Sequence, residues 1–494
     1  VRNEVDVLVV GGGVNGCGVA VDAAGRGLKV LLCEMGDLAS STSSGSSKLI
    51  HGGLRYLEHY EFRLVAKALK EREVLLKKAP HIIWPLRFRM PHMPHLRPAW
   101  LIRMGLFLYD NLARRATLPG AKSITFGADS PLVPSITKGF EYSDCWVDDA
   151  RLVALNAMQA RDKGAEILTR TKCVDVQRDG QYWRVTLEDM RSHEKREVRA
   201  KALVNAAGPW VQSLFEEELQ EKSPRKIRLV KGSHIVVPKL YEGDQCYILQ
   251  NEDKRIVFAI PYEGRFTLIG TTDVEITGNP ADAAIDQQER DYLVSLINSY
   301  FKIQIKDEDI VRTYSGVRPL LDDEEDDPSA VTRDYVLVKN GGGREPGIVS
   351  VFGGKITTYR VLGEAVMEEL KSFFPDIPDD WTDKAVLPGG DFENHAQLEK
   401  QLKSQYPWLK DDVVERYARS YGTLCHQFLR NAQGWQDLGE DFGHGLTAAE
   451  VEYLCEQEWA EELEDVIWRR SKLGLFLDEV GIKRLSAYLT RRQN

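Results

Sequence analysis

No stretch of about 18 consecutive apolar residues occurs in this 494-residue chain, so nothing in it reads as a segment that spans a bilayer. Its seven cysteines, from Cys17 to Cys455, form no Cys-x-x-Cys pair and no metal-ligand spacing. That excludes a zinc module, gives no metal site and argues against a disulfide framework; the odd count fits a reducing compartment. Positive charge is also in deficit, with 65 Lys and Arg against 75 Asp and Glu and a formal net charge of -10. Bulk electrostatics therefore does not favour a nucleic-acid partner. The first residues run directly into an apolar strand, leaving no room for a signal peptide, although without an initiator Met it stays open whether residues precede Val1. What is present in quantity is hydrophobic residues, 43% of the chain, enough core for about two or three domains.

The chain opens with Val5-Asp-Val-Leu-Val-Val-Gly-Gly-Gly-Val-Asn-Gly16, a β-branched run that breaks at Gly11, Gly13 and Gly16. Gly11 permits the tight turn, Gly13 lets backbone approach a pyrophosphate, and Gly16 lets the following helix, read over Val14 to Arg26, pack on the sheet. That helix points its positive end at the phosphates. Glu34 ends a second apolar run, where an acid accepts the ribose hydroxyls of a dinucleotide. The Ser-rich loop from Ser40 to Ser47 offers hydroxyls and backbone amides to a phosphate or ribityl chain, and Lys48 follows with a positive charge. A helix is expected from Glu61 to Lys78.

Further strands are read at Glu166 to Val176, Tyr182 to Glu188 and Lys201 to Ala207, the last stopping at Gly208-Pro209-Trp210, as a parallel sheet does at a ligand edge. Ser233 to Pro238, Arg255 to Tyr262 and Arg265 to Gly270 read as short antiparallel strands with a turn at Glu263-Gly264. Val349 to Phe352 ends at Gly353-Gly354 before a helix to Phe373, giving a second helix N-terminus for an anionic atom. Asp322 to Asp327 and Asn340 to Gly347 read as exposed loops. From Pro388 onward helical periodicity dominates. The expected organisation is a discontinuous nucleotide domain (1–80, 145–225 and 310–375), substrate-binding and membrane-contact regions (81–144 and 226–309), and a helical domain (385–494).

Trp84 to Arg115 reverses the overall charge. Arg87, Arg89, Arg97, Arg103, Arg114 and Arg115 face one acid, Asp110, among Trp84, Phe88, Trp100, Leu101, Ile102, Leu106, Phe107 and Leu108. Cations beside apolar residues describe a monotopic anchor on an anionic membrane surface, as well as a core helix with a basic edge.

These motifs together resemble the membrane-associated, FAD-dependent glycerol-3-phosphate dehydrogenases, especially the bacterial aerobic form. Gly11 to Gly16 carries the resemblance along with Ser43 to Tyr60 and Tyr142 to Arg151. So do Lys231-Gly-Ser-His234, Ile269-Gly-Thr-Thr-Asp273, Tyr314 to Pro319, Phe352-Gly-Gly-Lys355 and Asp437 to His444. It implies an α/β + α architecture: a glutathione-reductase-like FAD-binding domain, an inserted antiparallel substrate sheet and a C-terminal helical cap. The implied reaction is oxidation of sn-glycerol 3-phosphate to dihydroxyacetone phosphate, with electrons passed to membrane quinone. The implied location is the cytoplasm, peripherally on the inner face of the cell membrane, with a homodimer among the expected partners. The calcium loop of mitochondrial relatives and the insertion of oxygen-using oxidases are both missing. Independently, Gly341-Gly-Gly343 lacks the strand and helix of a second, nicotinamide-binding fingerprint, which also points to quinone or oxygen as acceptor.

Flavin oxidation of a secondary alcohol needs hydride transfer to N5, loss of the hydroxyl proton, and positive charge near N1 and O2. The resemblance places Arg55 and Arg318 at the substrate phosphate, where guanidinium forks match its oxygens, with Tyr56 and Thr271 as further donors. His234 and His51 compete as the base, His234 preferred. Lys355 is assigned to the reduced flavin or the developing alkoxide, and Arg318 is counted among the catalytic residues. Cofactor contacts are expected from Gly11, Gly13, Val14, Asn15, Gly16, Glu34, Ser43, Ser44, Ser47, Lys48, Leu49, Val174, Gly208, Trp210, Gly354, Lys355 and Thr357. Two rivals stand beside this reading: an FAD-dependent amine or amino-acid oxidase of the same fold, and a non-catalytic FAD-containing membrane scaffold.

Overall fold

A computed structural model describes residues 3–322 and 334–493. Most of the acidic stretch expected as a loop, Asp322 to Asp327, lies outside those residues. The first apolar run forms the strand Glu4–Val10, which sits in parallel between Val30–Cys33 and Lys195–Asn205. Lys195–Asn205 is in turn parallel to Glu345–Phe352, and Val30–Cys33 to Glu166–Leu168. Continuous β-branched runs suit these central strands because both faces are covered. Val14–Gly25 packs on one face together with Asp149–Asp162 and Tyr359–Leu370.

The segment expected as one strand from Glu166 to Val176 is two. Glu166–Leu168 stays in the parallel layer, whereas Thr171–Asp179 leaves it to pair antiparallel with Tyr182–Asp189. The break falls at Arg170, whose φ of +49° turns the chain between the two partners. The glycine-rich tip expected as a loop is the exposed end of a hairpin formed by Val336–Gly342 and Glu345–Phe352.

A second sheet lies beside the first. Its long strand, Ile227–Pro238, pairs antiparallel with Phe266–Gly270, Val274–Ile276 and Arg312–Leu321. Ile256–Tyr262 and Cys246–Gln250 extend it, followed by Ile83–Pro91, Lys138–Val147 and Leu49–Ile50. The expected turn at Glu263-Gly264 is present, both residues having positive φ. One join is parallel, between Cys246–Gln250 and Ile83–Pro91. Sheet membership moves two expected boundaries: Arg312–Leu321 and Leu49–Ile50 belong to this second sheet rather than to the nucleotide layer.

The C-terminal segment packs helices His395–Gln405, Asp411–Ser420, Ala448–Gln457 and Glu479–Gln493 around their own core of Leu402, Val413, Tyr417, Leu454 and Leu485.

The basic stretch Trp84 to Arg115 divides in two. Its first part is the interior strand Ile83–Pro91, where Arg87 and Arg89 both pair with Glu141 at 3.0 and 2.9 Å, so an acid within the sheet partly offsets their charge. Its second part is the helix Ala99–Asn111, which buries Leu106 and Tyr109 and exposes Trp100 (68%), Met104, Phe107 (65%) and Leu108. These four recur at the 4-3-1 spacing of a single helix face. Among the described residues no helix is long and apolar enough to cross a membrane.

Candidate active site

A cavity of about 1170 Å³ runs between the two sheets, from the Gly11 turn to Arg55 and Arg318. Its dinucleotide end is built from main chain. Gly11 has φ +113°, and a Cβ there would lie 2.2 Å from Ala206 O. A Cβ on Gly16 would lie 1.9 Å from Gly11 O, which is why the helix docks so closely on the turn. Gly13 is different: its φ is ordinary, and a Cβ would meet only Ser43 Oγ at 3.0 Å. The Val14 amide donates to Ser43 Oγ at 2.9 Å, tying the serine loop to the turn.

Glu34 lines the same end, and its two carboxylate oxygens accept from the Gly12 and Gly36 amides at 2.7 and 2.8 Å. Burial pushes its pKa up, opposed by those two amides. Each oxygen keeps a second lone pair for a ribose hydroxyl.

FAD fits what lines the rest. Asn15 Oδ1 and His234 Nδ1 are buried at this cavity without a hydrogen-bond partner among the described residues, a cost that a polar ligand relieves. Leu49, Gly208, Trp210, Gly354 and Thr357 also line it.

Four expected cofactor contacts sit elsewhere. Lys48 turns away with φ +59° and is buried, donating to Asp149 Oδ1 at 2.7 Å and Ser44 O at 3.2 Å. Burial lowers its pKa, and Asp149 works against that shift. Its ammonium is therefore spent on Asp149 and is not among the groups that line the cavity. Ser44 Oγ donates back to Ser41 O, 3.3 Å away, as part of the short helical turn Thr42–Ser44. Val174 lies at an irregularity in its strand, and Lys172 and Cys173 take its place on the wall. Gly16 packs against Gly11 O and is not among the residues that line the cavity.

Arg55, Tyr56, Thr271, Arg318, Lys355 and His51 all line this cavity, and Thr271 Oγ1 and Arg318 Nη2 both lie beside Gly232. Arg55 has no ion-pair partner among the described residues. Arg318 is paired with Asp273 and donates to Thr272 O at 3.3 Å. The Lys355 ammonium lies 5.1 Å from the Tyr56 ring centroid. Asp144, buried against Arg72 at 2.8 Å, accepts from the Tyr109 hydroxyl at 2.6 Å. Tyr109 also accepts from the Gly52 amide at 2.8 Å, so the exposed helix Ala99–Asn111 is fastened to the turn that carries Arg55.

The two histidines separate. His234 is only 2% exposed, stacks on Tyr314 at 4.8 Å, and has Nε2 2.8 Å from Ser47 Oγ. Burial, then the charges of Lys48 and Arg318, push its pKa down to about 3. It is thus a neutral imidazole behind Ser47 and a poor proton acceptor, which counts against the preference for it as base. His51 is half-buried on the cavity wall, its amide 3.3 Å from Thr357 Oγ1. Sequence reasoning quoted Asp273 within a motif without seeing it as the partner of Arg318. It likewise quoted Tyr142 and Asp144 within a motif, and Phe258 within a strand, without assigning any of them to the cavity wall, where all three lie.

Residues 6–360 match the model of the FAD dependent oxidoreductase family, and residues 381–488 that of the C-terminal domain of alpha-glycerophosphate oxidase. The chain is 57% identical to a glycerol-3-phosphate dehydrogenase of Pseudomonas aeruginosa, over 98% of this chain and 94% of that protein. It is 52% identical to a D-erythritol 1-phosphate dehydrogenase of Brucella abortus, over 96% and 95%. Among solved structures, the glycerol-3-phosphate dehydrogenase of Bacillus halodurans complexed with FAD superposes with a TM-score of 0.77 at 27% identity, covering 99% of this chain and 90% of that one. A dinucleotide cradle in a cavity also lined by two arginines, joined to a helical domain of this type, is that of an FAD-dependent oxidoreductase, and the chain belongs to the glycerol-3-phosphate dehydrogenase family.

Proposed function

We propose that the chain oxidises sn-glycerol 3-phosphate to dihydroxyacetone phosphate and passes the electrons to membrane quinone. The observation that carries this reading is that Arg55 and Arg318 both line the cavity that the Gly11 turn also lines. Two guanidinium forks suit a phosphate dianion, whereas an amino-acid carboxylate needs one. FAD, when bound, supplies the hydride acceptor.

The chain's own residues do the rest. Gly13, Val14, Asn15, Ser43 and Ser47 hold the cofactor's phosphates and ribityl chain, and Glu34 its ribose. Arg55 clamps the substrate phosphate, and Arg318, oriented by Asp273, completes the fork. Thr271 and Tyr56 orient the polyol, and His51 takes the hydroxyl proton. Lys355 places positive charge beside the reacting centre. His234 holds Ser47 in position.

The near-equal identity to a D-erythritol 1-phosphate dehydrogenase supports a second substrate of the same chemistry, a four-carbon polyol phosphate. In an anaerobic titration of the yellow protein, sn-glycerol 3-phosphate is expected to bleach the flavin band, D-erythritol 1-phosphate to do so with lower kcat/KM, and glycine or D-amino acids not at all. Bleaching by an amino acid alone would identify an amino-acid oxidase, and no bleaching by any of them a scaffold.

The exposed face Trp100, Met104, Phe107 and Leu108, with Arg103 and Arg114 exposed beside it, supports peripheral attachment to an anionic bilayer. Each large apolar side chain that enters the interface contributes up to about 1.5–3 kcal/mol. The double variant Trp100→Glu, Phe107→Glu should therefore lose binding to anionic vesicles by about tenfold or more in a sedimentation assay, while dye-linked activity is kept. Salt should weaken wild-type binding only in part, because apolar burial is not screened. Unchanged sedimentation of the double variant would move the anchor elsewhere.

A further inference from the structure

The helical C-terminal domain reaches into the back of the cofactor site. Glu34 begins the short loop Glu34-Met-Gly-Asp37, and its far end is buried: Asp37 is 3% exposed. The Asp37 carboxylate accepts a bidentate pair from Arg470, at 2.8 and 2.7 Å, and a third hydrogen bond from Arg469 Nε at 2.7 Å. Neither arginine belongs to the nucleotide layer. Both lie in Asp465–Arg470 of the helical domain, where Arg470 also donates twice to Glu458 O, at 3.0 and 2.6 Å.

The same loop is gripped from its other side. Gly36 O accepts from the Arg170 amide at 2.8 Å, and the Arg170 side chain donates to Asp465 Oδ2 at 2.6 Å. Asp465 in turn accepts from Arg469 at 2.5 Å and from the amides of Glu461 and Glu462. Two acids, Asp37 and Asp465, thus meet Arg170, Arg469 and Arg470 in one network spanning both domains, and the Glu458 carboxylate, paired with Arg151, comes within 3.9 Å of Arg470. The Gly36 amide, one residue before Asp37, is one of the two donors that fix the Glu34 carboxylate.

We propose that Arg469 and Arg470 are positioning residues for the cofactor: by holding Asp37 they fix the Gly36 amide and the Glu34 carboxylate, so that retention of the adenosine half of FAD depends on the helical domain. A rigid, pre-paired carboxylate loses little freedom when the ribose binds. Released from Asp37, the loop must be ordered by the ligand itself.

This rests on the assignment of Glu34 to the ribose, so Glu34→Gln is tested in parallel. Holoenzyme is diluted and free flavin is followed by the return of its fluorescence. For Arg470→Met, and for the less buried Arg469→Gln should the first not fold, the dissociation constant of FAD is expected to rise about tenfold. At saturating FAD, KM for substrate should stay within about twofold of wild type, and Arg470→Lys should recover part of the loss. Arg416→Met is the control. It breaks a pair with buried Glu450, at 2.5 and 2.8 Å, in the same domain but on no part of the loop, Arg416 being about as exposed as Arg469 (18% and 17%), and should lower Tm without changing FAD retention. Equal FAD loss from Arg416→Met, or none from Arg470→Met and Arg469→Gln while Glu34→Gln loses cofactor, would overturn the proposal. FAD retained by Glu34→Gln would instead overturn the ribose assignment.

Discussion

Arg55→Ala is expected to raise KM for sn-glycerol 3-phosphate roughly 10- to 100-fold while the protein stays folded and yellow. A charge-assisted hydrogen bond contributes about 1.5–3 kcal/mol, and about 1.4 kcal/mol is tenfold in affinity. The full effect should appear at this position because Arg55 brings an unspent charge to the cavity, with no ion pair among the described residues to fall back on. Arg318 starts from a different state, already paired with Asp273. Arg318→Lys keeps charge but loses the planar fork that serves both Asp273 and the phosphate, so its KM should also rise, by a smaller factor. Steady-state kinetics of both variants with saturating FAD checks this. Unchanged KM in both would remove the pair from the phosphate site.

Gly13→Leu is expected to yield colourless, folded protein. The three fingerprint glycines differ in what a side chain would meet. At Gly11 and Gly16 a Cβ would strike backbone at 2.2 and 1.9 Å, so substitution there breaks the turn itself and says nothing specific about the cofactor. At Gly13 the backbone is in an extended region and the nearest atom is the Ser43 hydroxyl at 3.0 Å, which a small shift relieves. The leucine then occupies cavity space where a pyrophosphate approaches the main chain. Loss of FAD by more than about 100-fold, with a circular dichroism spectrum like wild type, is the expected pair of results. Full yellow colour would show that the dinucleotide does not pass this turn.

What could be read in the sequence was what is decided locally. The glycine turn, the strand before it and Glu34 follow from steric rules acting over a few residues, and they lie where those rules put them. The same holds for the Glu263-Gly264 turn and for the strand from Arg255 to Tyr262. What failed depended on partners remote in sequence. Lys48 reads as a phosphate ligand until Asp149, 101 residues on, is seen to bury it in an ion pair. Trp84 to Arg115 reads as one basic, apolar patch until Glu141 claims Arg87 and Arg89 and sheet pairing takes the first half of the segment. His234 looked like the better base because imidazole suits neutral pH. Only the structure shows it buried against Tyr314, with Nε2 engaged by Ser47 and its pKa pushed down by burial.

The order of strands in the nucleotide layer also governs how the chain is made. Glu4–Val10 leaves the ribosome before the other strands of its layer, yet one of its two neighbours is Lys195–Asn205, and that strand's own neighbour is Glu345–Phe352. At about 5–20 residues per second, the first strand waits roughly 10–40 s for its parallel partner to be synthesised. Through that interval an apolar edge stands open to other chains. The cofactor cradle is therefore a late event in the life of each molecule, and its closure depends on the rate of elongation as well as on equilibrium stability.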